Sequence, residues 1–505
     1  MKKYLLFCIL SVLLFFNPNI CWGRKDRVLV PSKPLKQQLT NSYATYIVKD
    51  AFDLHGEILS IPNNATLYFE EGGAFKNGLI VFNNTKLEGV PSIICKIEGT
   101  ICNKELYVDW FVRNNDLDFL KAAGFYDFAS GHDIVFSEKK YTTSLLMLGQ
   151  QYFIQLKDAS LIGNNATIEI VNNSEMLGAM FGFSKCENLT MRDFIIDGAI
   201  ARDSRTPKSG RHNISIKDSR NVLLTNVRSI NALTDGFYIN RGENIILDKC
   251  VADYNGRQGC SVIAGKRILI KNCSFSHSCR NEPMMGIDIE PNDSYSTELS
   301  VAIDSCRFID NYSSGIGINI GNQVQKDKIG KDKNISITNC LFSGNRYQIS
   351  CSAGENAGQG RILISRCNME NARFCSINIK AYSAVNTPFL VIRDIKIHNS
   401  NLDGGKDYRV HKSAIVVHNV SSKPVKSAIG NIELSDIEIT QDKEYKDNID
   451  RGVLLYSNAI KGGYKNVTLG EIKVDLGKPE AAHVRKVHSS AVKASELRYI
   501  NGTKK

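Results

Sequence analysis

The sequence predicts an all-β chain wound as a right-handed parallel β-helix with an N-terminal β region and a short capping helix, and three observations carry that prediction. Short alternating strands recur and close on the same slot: "NIILDKC" at Cys250, "RILIKNC" at Cys273, "LSVAIDSC" at Cys306, "NISITNC" at Cys340 and "RILISRC" at Cys367. A second strand start follows that slot at a set distance, in "GFYI" at Gly236, "GCSV" at Gly259 and "GIGI" at Gly315, and later in "GIDI" at Gly286. Asn255, Asn311 and Asn345 stand five residues after their cysteines, as a stacked turn row requires. Period-2 strands in repeats of this length fit no helical repeat, whereas coils stacked about 4.8 Å apart set their inward side chains in ladders.

The elements follow in chain order. "MKKYLLFCILSVLLFF" has a Lys2-Lys3 start, an apolar run too short to span a bilayer and small residues in "CWG", so residues 1–23 are expected to be a signal peptide and the mature protein exported. A lipoprotein with Cys21 acylated is the alternative, against which Ile20 stands where a small residue is usual. No later run reaches about 18 apolar residues, so no transmembrane segment is expected. Residues 24–110 alternate in "YIVKDAFDLHGEILSIPNNATLYFEEGG" and read as an N-terminal β region. In "NDLDFLKAAG" a short helix ends at Gly124, and "DIVFSEKKYTTS" is a strand and turn leading into the coils, a cover for the open end of a solenoid. The β-helix is expected over 111–480, with 481–505 as a cap or tail.

The cysteines read as packing rather than chemistry. Val227 fills their slot in "NVLLTNV", so the slot takes a small buried hydrophobe, and no CxxC or Cys/His zinc spacing occurs. No cofactor is expected. Calcium is suggested only by the oxygen-rich "EPND".

The layout of helix, "DIVFSEKKYTTS" and coils resembles the pectate-lyase-like right-handed parallel β-helix superfamily, and the coils resemble exported β-helix repeat proteins of Bacteroidetes type and phage tailspikes. That superfamily holds hydrolases, lyases, epimerases and binding proteins, so the resemblance implies fold more sharply than reaction. There is a distant likeness to polygalacturonase-type glycoside hydrolases, in which an "NTDG" strand start and a following "DD" supply the catalytic acids. "LTDGFYI" places Asp235 at the first site, but "GRQGCSV" puts Gln258 and Gly259 where the paired acids would be, and neither "GHG" nor "RIK" is present. Only Asp235 carries over.

Alternation places a second pair of acids. With Ile214, Phe237, Cys260, Ile287 and Ile316 inward, and Ile216, Ile239, Val262, Ile289 and Ile318 inward two residues on, Asp288 and Glu290 of "MMGIDIEPND" project from the outer face. They stand at the one coil widened by an insertion, "HSCRNEPMM". Their outward neighbours in the ladders are Ser215, Tyr238, Ser261 and Gly317 for Asp288, and Lys217, Asn240, Ile263 and Asn319 for Glu290. This reads as a shallow sugar-binding groove: Asp288, Glu290 and Asp235 as catalytic acid, base or nucleophile, Tyr238 stacking on a ring, and Asn240, Asn319 and Gln258 binding hydroxyls. Arg257 keeps a carboxylate ionised or binds an acidic sugar, and His277 and Arg280 form a wall. Residues i and i+2 of a strand have Cα atoms about 6.7 Å apart, within reach of glycosidase carboxyl separations.

The net charge of +11 favours an acidic glycan as partner, and nothing concentrates the basic residues as nucleic acid requires, so nucleic acid is not expected. Three functions are therefore open: a glycoside hydrolase on a polysaccharide, a polysaccharide lyase on a uronate-containing glycan, and a non-catalytic glycan-binding or structural solenoid.

Overall fold

The computed structural model describes residues 26–144, 154–171, 178–201, 210–292, 298–321, 329–404, 412–419, 428–457, 463–476, 482–488 and 497–499. The expected signal peptide lies outside these residues, as does Asp293 of "EPND". The described residues divide into two compact units, the first comprising those up to Lys104 with Asp109–Arg113 and Leu120–Phe128, the second the other described residues. In the first unit seven strands pair, always in parallel, with the long strand Ala74–Gly89 taking four partners. The short helix Leu117–Ala122 stops before Gly124, whose φ of +82° suits a residue without Cβ.

The second unit is the parallel β-helix. One sheet stacks His212–Lys217, the start of Phe237–Asp248, the start of Gln258–Lys271, Met285–Ile289 and Ser314–Ile320 in register, so that Ile214, Phe237, Cys260, Ile287 and Ile316 form one ladder. Each of these side chains is at most 1% exposed. A second sheet stacks Val222, Ile245, Ile268, Val301, Ile335 and Ile362. Cys250, Cys273, Cys306, Cys340 and Cys367 are free thiols, each buried at the corner after that sheet. Burial also pushes the Cys351 thiol up to about 12, which keeps it protonated and unreactive.

The asparagine row closes the turns. Asn311 and Asn345 are fully buried, and the Asn311 Nδ2 and backbone N–H both donate to Asn345 Oδ1 at 2.9 Å. Ser278 stands in the row at the widened coil, and its N–H donates to Asn311 Oδ1. These side chains supply partners that turn backbone buried inside a solenoid would otherwise lack.

The third sheet carries a stack of phenylalanines: Phe308 lies 5.5 Å from Phe275 and 4.8 Å from Phe342, ring to ring, with interplanar angles of 10° and 14°. Because Phe308 is fully buried with rings on both sides, Phe308→Ala is expected to destabilise the protein by about 3–5 kcal/mol, read as a lowered urea midpoint. A loss under about 1 kcal/mol would show that neighbouring coils collapse into the space.

Coil pairing runs past the expected end at residue 480. Ala482–His488 pairs in parallel with Arg451–Ser457, and Leu497–Tyr499 with the strand holding Val467. The sequence "AHVRKVH" conceals this strand because Val484 and Val487 stand three residues apart and give no period-2 alternation. Among the described residues no helix is long and apolar enough to cross a membrane.

Candidate functional site

The outer face of the first sheet gathers the predicted acids, but not on a shallow surface. Asp288 is only 2% exposed, and all five residues of Met285–Ile289 are buried, whereas Glu290, just past the strand end, is exposed. Alternation correctly puts Asp288 outside the solenoid; it cannot report what lies over that face. The Met285 side chain reaches this side as well, against the alternation that its place two residues before inward Ile287 implies: a Cβ on Gly317 would meet its sulfur at 2.1 Å. The glycine in the next coil thus leaves room for Met285, and Asp288 Oδ1 lies 3.6 Å from that same point.

Asp288 is held by amides. Gln258 Nε2 donates to Oδ2 at 2.9 Å and Asn319 Nδ2 to Oδ1 at 3.3 Å. No cation among the described residues is ion-paired with it. Burial pushes its pKa up to about 7, the charges of Glu290 and Asp235 add to the rise, and the Asn319 hydrogen bond and Arg257 oppose it.

Asp235 is equally buried and opposite in character. Arg257 binds it with two hydrogen bonds, Nε to Oδ1 at 2.9 Å and Nη2 to Oδ2 at 2.8 Å. Ser261 Oγ donates at 2.9 Å, and His212 Nδ1 lies 3.3 Å from Oδ2. Burial favours protonation of Asp235, but His212 and Arg257 outweigh it and bring the pKa to about 2. Among the described residues Arg257 is thus bound to Asp235 and not to either acid of the Asp288–Glu290 pair.

Tyr238 forms the neighbouring surface. His212 stacks on its ring at 4.4 Å and 16°, and Lys217 Nζ stands 5.7 Å from the ring centre. Burial, followed by the charge of Asp235, raises the phenol pKa. Asn240 is half-buried beside it, and its ladder partner is Ala264 rather than Ile263, because the register shifts by one residue after Ile239.

His277 and Arg280 are engaged elsewhere in the turn. His277 Nδ1 meets Asp253 Oδ1 at 2.7 Å and the ring stacks on Tyr254 at 4.4 Å, while Arg280 Nη2 donates to the Ala232 carbonyl at 2.7 Å. Both brace the widened turn against adjacent coils; the described residues give neither a contact with Asp288 or Glu290. Among the described residues no group of three or more His, Cys, Asp and Glu is arranged to hold a metal ion.

The sequence reading gave His212 and Ser261 no site role, although alternation set Ser261 beside Asp288 in its outward ladder. His212, Asp235 and Gln258 each stand two residues before their inward ladder residue, a position that strict alternation turns inward, so the period carried no signal for this row. Ser261 stands directly between Tyr238 and Asp288 in the next row.

Residues 183–357 match the family model described as a right handed beta helix region. No curated protein sequence matches. The endo-xylogalacturonan hydrolase from Aspergillus tubingensis is 13% identical, with 77% of this chain and 96% of that one covered and a TM-score of 0.43. An exopolygalacturonase from Thermotoga maritima is 13% identical over 68% of this chain and 88% of its own, TM-score 0.48. The A-module of a mannuronan C-5 epimerase from Azotobacter vinelandii is 15% identical over 76% and 94%, TM-score 0.47. The family match falls on the coils whose register places the acids, and the chain is a right-handed parallel β-helix protein.

Proposed function

We propose that this is an exported carbohydrate-active enzyme, a glycoside hydrolase acting on a polysaccharide, with Asp288 as general acid. The observation that carries this reading is a buried carboxyl with only amide donors, two residues from an exposed carboxylate at the end of the same strand. Environments that push two acids apart in proton affinity assign them different roles. Asp288 keeps its proton near neutral pH and delivers it to the glycosidic oxygen as the C–O bond breaks. Glu290, facing solvent, accepts the proton of the attacking water or attacks the anomeric carbon.

Asp235 takes a different part from the one its motif suggests. Fully buried and bound by Arg257, Ser261 and His212, it positions these groups and adds negative charge that keeps Asp288 protonated. Tyr238 with its stacked His212 offers a platform for a sugar ring and Asn240 a hydroxyl contact, whereas the Asn319 amide is taken up by Asp288 and Ser352.

One observation favours a lyase: His212 and Lys217 both flank Tyr238, a base and a cation within one cluster. Against it, the raised phenol of Tyr238 disfavours that group as a base, and Arg257 is already committed to Asp235. A panel of neutral and acidic glycans, with new reducing ends and unsaturated products measured in parallel, separates the readings. New reducing ends without unsaturated product are expected. Unsaturated product would establish the lyase, and binding without turnover the non-catalytic solenoid.

A further inference from the structure

Two amides hold the Asp288 carboxyl, and they differ in how firmly each is oriented. Asn319 is engaged at both ends: its Nδ2 donates to Asp288 Oδ1, and its Oδ1 accepts from Ser352 Oγ at 3.0 Å. Reversing that amide would set its oxygen against Asp288 and leave the Ser352 hydroxyl facing a donor. Gln258 is engaged at one end only. Its Nε2 donates to Asp288 Oδ2, while Oε1 is buried without a hydrogen-bond partner, in a side chain 1% exposed. A buried acceptor left idle is uncommon and calls for a reason.

We propose that Gln258 is a positioning residue that turns its amide with the protonation state of Asp288, so that the acid proton resides on Oδ2 and is held there by Gln258 Oε1. With Asp288 ionised, both amides donate to it, as observed. With Asp288 protonated, a donor at each oxygen would leave the acid proton no acceptor. Oδ1 continues to face the Asn319 donor, because Ser352 holds that amide. Oδ2 therefore carries the proton, and the Gln258 amide turns by half a revolution about its last bond. One hydrogen bond is exchanged for another, and one end of the amide is unpartnered in either orientation, so neither state is favoured by that count. The proton is conserved throughout: it leaves Oδ2 for the leaving-group oxygen, and Gln258 turns back to stabilise the carboxylate. This assignment gives the row of His212, Asp235 and Gln258 a purpose at its third member, where the polygalacturonase-type pattern would place an acid.

The inference rests on Asp288 being the acid of the proposed hydrolase, yet its test does not need turnover. The infrared carbonyl band of protonated Asp288, identified as the band absent from Asp288→Asn, is titrated in the wild-type protein and in Gln258→Met, which keeps the volume. The expected result is a band at higher frequency in Gln258→Met, since its acid proton has lost its acceptor. The titration midpoint is expected to rise by about one pH unit, a tenfold change in proton affinity, because the ionised state loses a stronger hydrogen bond than the neutral one. Ser352→Ala, at a half-buried position, is the second variant: with Asn319 released, protonation at Oδ1 becomes available and the band is expected to split. Unchanged frequency and midpoint in Gln258→Met, or a single unshifted band in Ser352→Ala, would overturn the inference. Should the glycan panel show no cleavage while these shifts occur, the hydrolase reading falls and the proton-holding role of Gln258 stands.

Discussion

Asp288→Asn is expected to lower kcat/KM on the responsive glycan by about 10²- to 10⁴-fold, the usual contribution of a positioned general acid. The amide keeps the shape and the Asn319 contact but has no proton to give. In the wild-type enzyme, kcat/KM should fall as pH rises through about 7, since burial and the charges of Glu290 and Asp235 hold the Asp288 pKa there. Products from Asp288→Asn equal to wild type would remove it from the chemistry.

The same carboxyl leaves a mark on stability. Its folded pKa of about 7 lies above the ordinary value of 3.8, so between those limits the native state binds a proton that the unfolded chain has released. The penalty is absent below about pH 4, grows as pH climbs, and is complete above about 7. Asp288→Asn is therefore expected to be more stable than wild type at pH 8, by on the order of 2–4 kcal/mol, with that advantage gone at pH 4. Urea midpoints at the two pH values measure it. A difference between variant and wild type that does not change with pH would contradict the buried, unpaired acid.

The second large effect concerns Arg257. Arg257→Met leaves Asp235 fully buried with His212 and Ser261 as its remaining partners, and a loss of about 3–5 kcal/mol is expected from the uncompensated charge. The double variant Arg257→Met with Asp235→Asn should recover most of that loss, since a neutral amide needs no cation. For Asp235 the sign runs opposite to Asp288. Its folded pKa of about 2 lies below the ordinary 3.8, so its stabilisation is present above about pH 4 and disappears as pH falls through about 2. Equal urea midpoints for the single and double variants would show that Arg257 contributes packing alone, as long side chains sometimes do.

These contrasts explain how far the chain could be read. The coils were legible because parallel strands buried inside a solenoid must repeat apolar residues at a strict period, and Ile214, Phe237, Cys260, Ile287 and Ile316 do so. The same period placed Asp288 outside the core and put it near Asp235 and Gln258. The register shift after Ile239 escaped, since one extra residue alters no composition signal yet exchanges Ile263 for Ala264 opposite Asn240. The last coils escaped because Val484 and Val487, three residues apart, give no period-2 alternation.

What the amino-acid order settled was therefore the winding, the inward ladders, the corner cysteines and the outward side of Asp288, all consequences of local period and burial. The protonation of Asp288 and Asp235 was settled by contacts between coils 20 or more residues apart. Arg257 reaches Asp235 across 22 positions, and Gln258 reaches Asp288 across 30. Two aspartates that look alike in the sequence thus acquire opposite proton affinities, because His212 and then the Arg257 guanidinium compensate the burial of one, and neutral amides leave the burial of the other uncompensated.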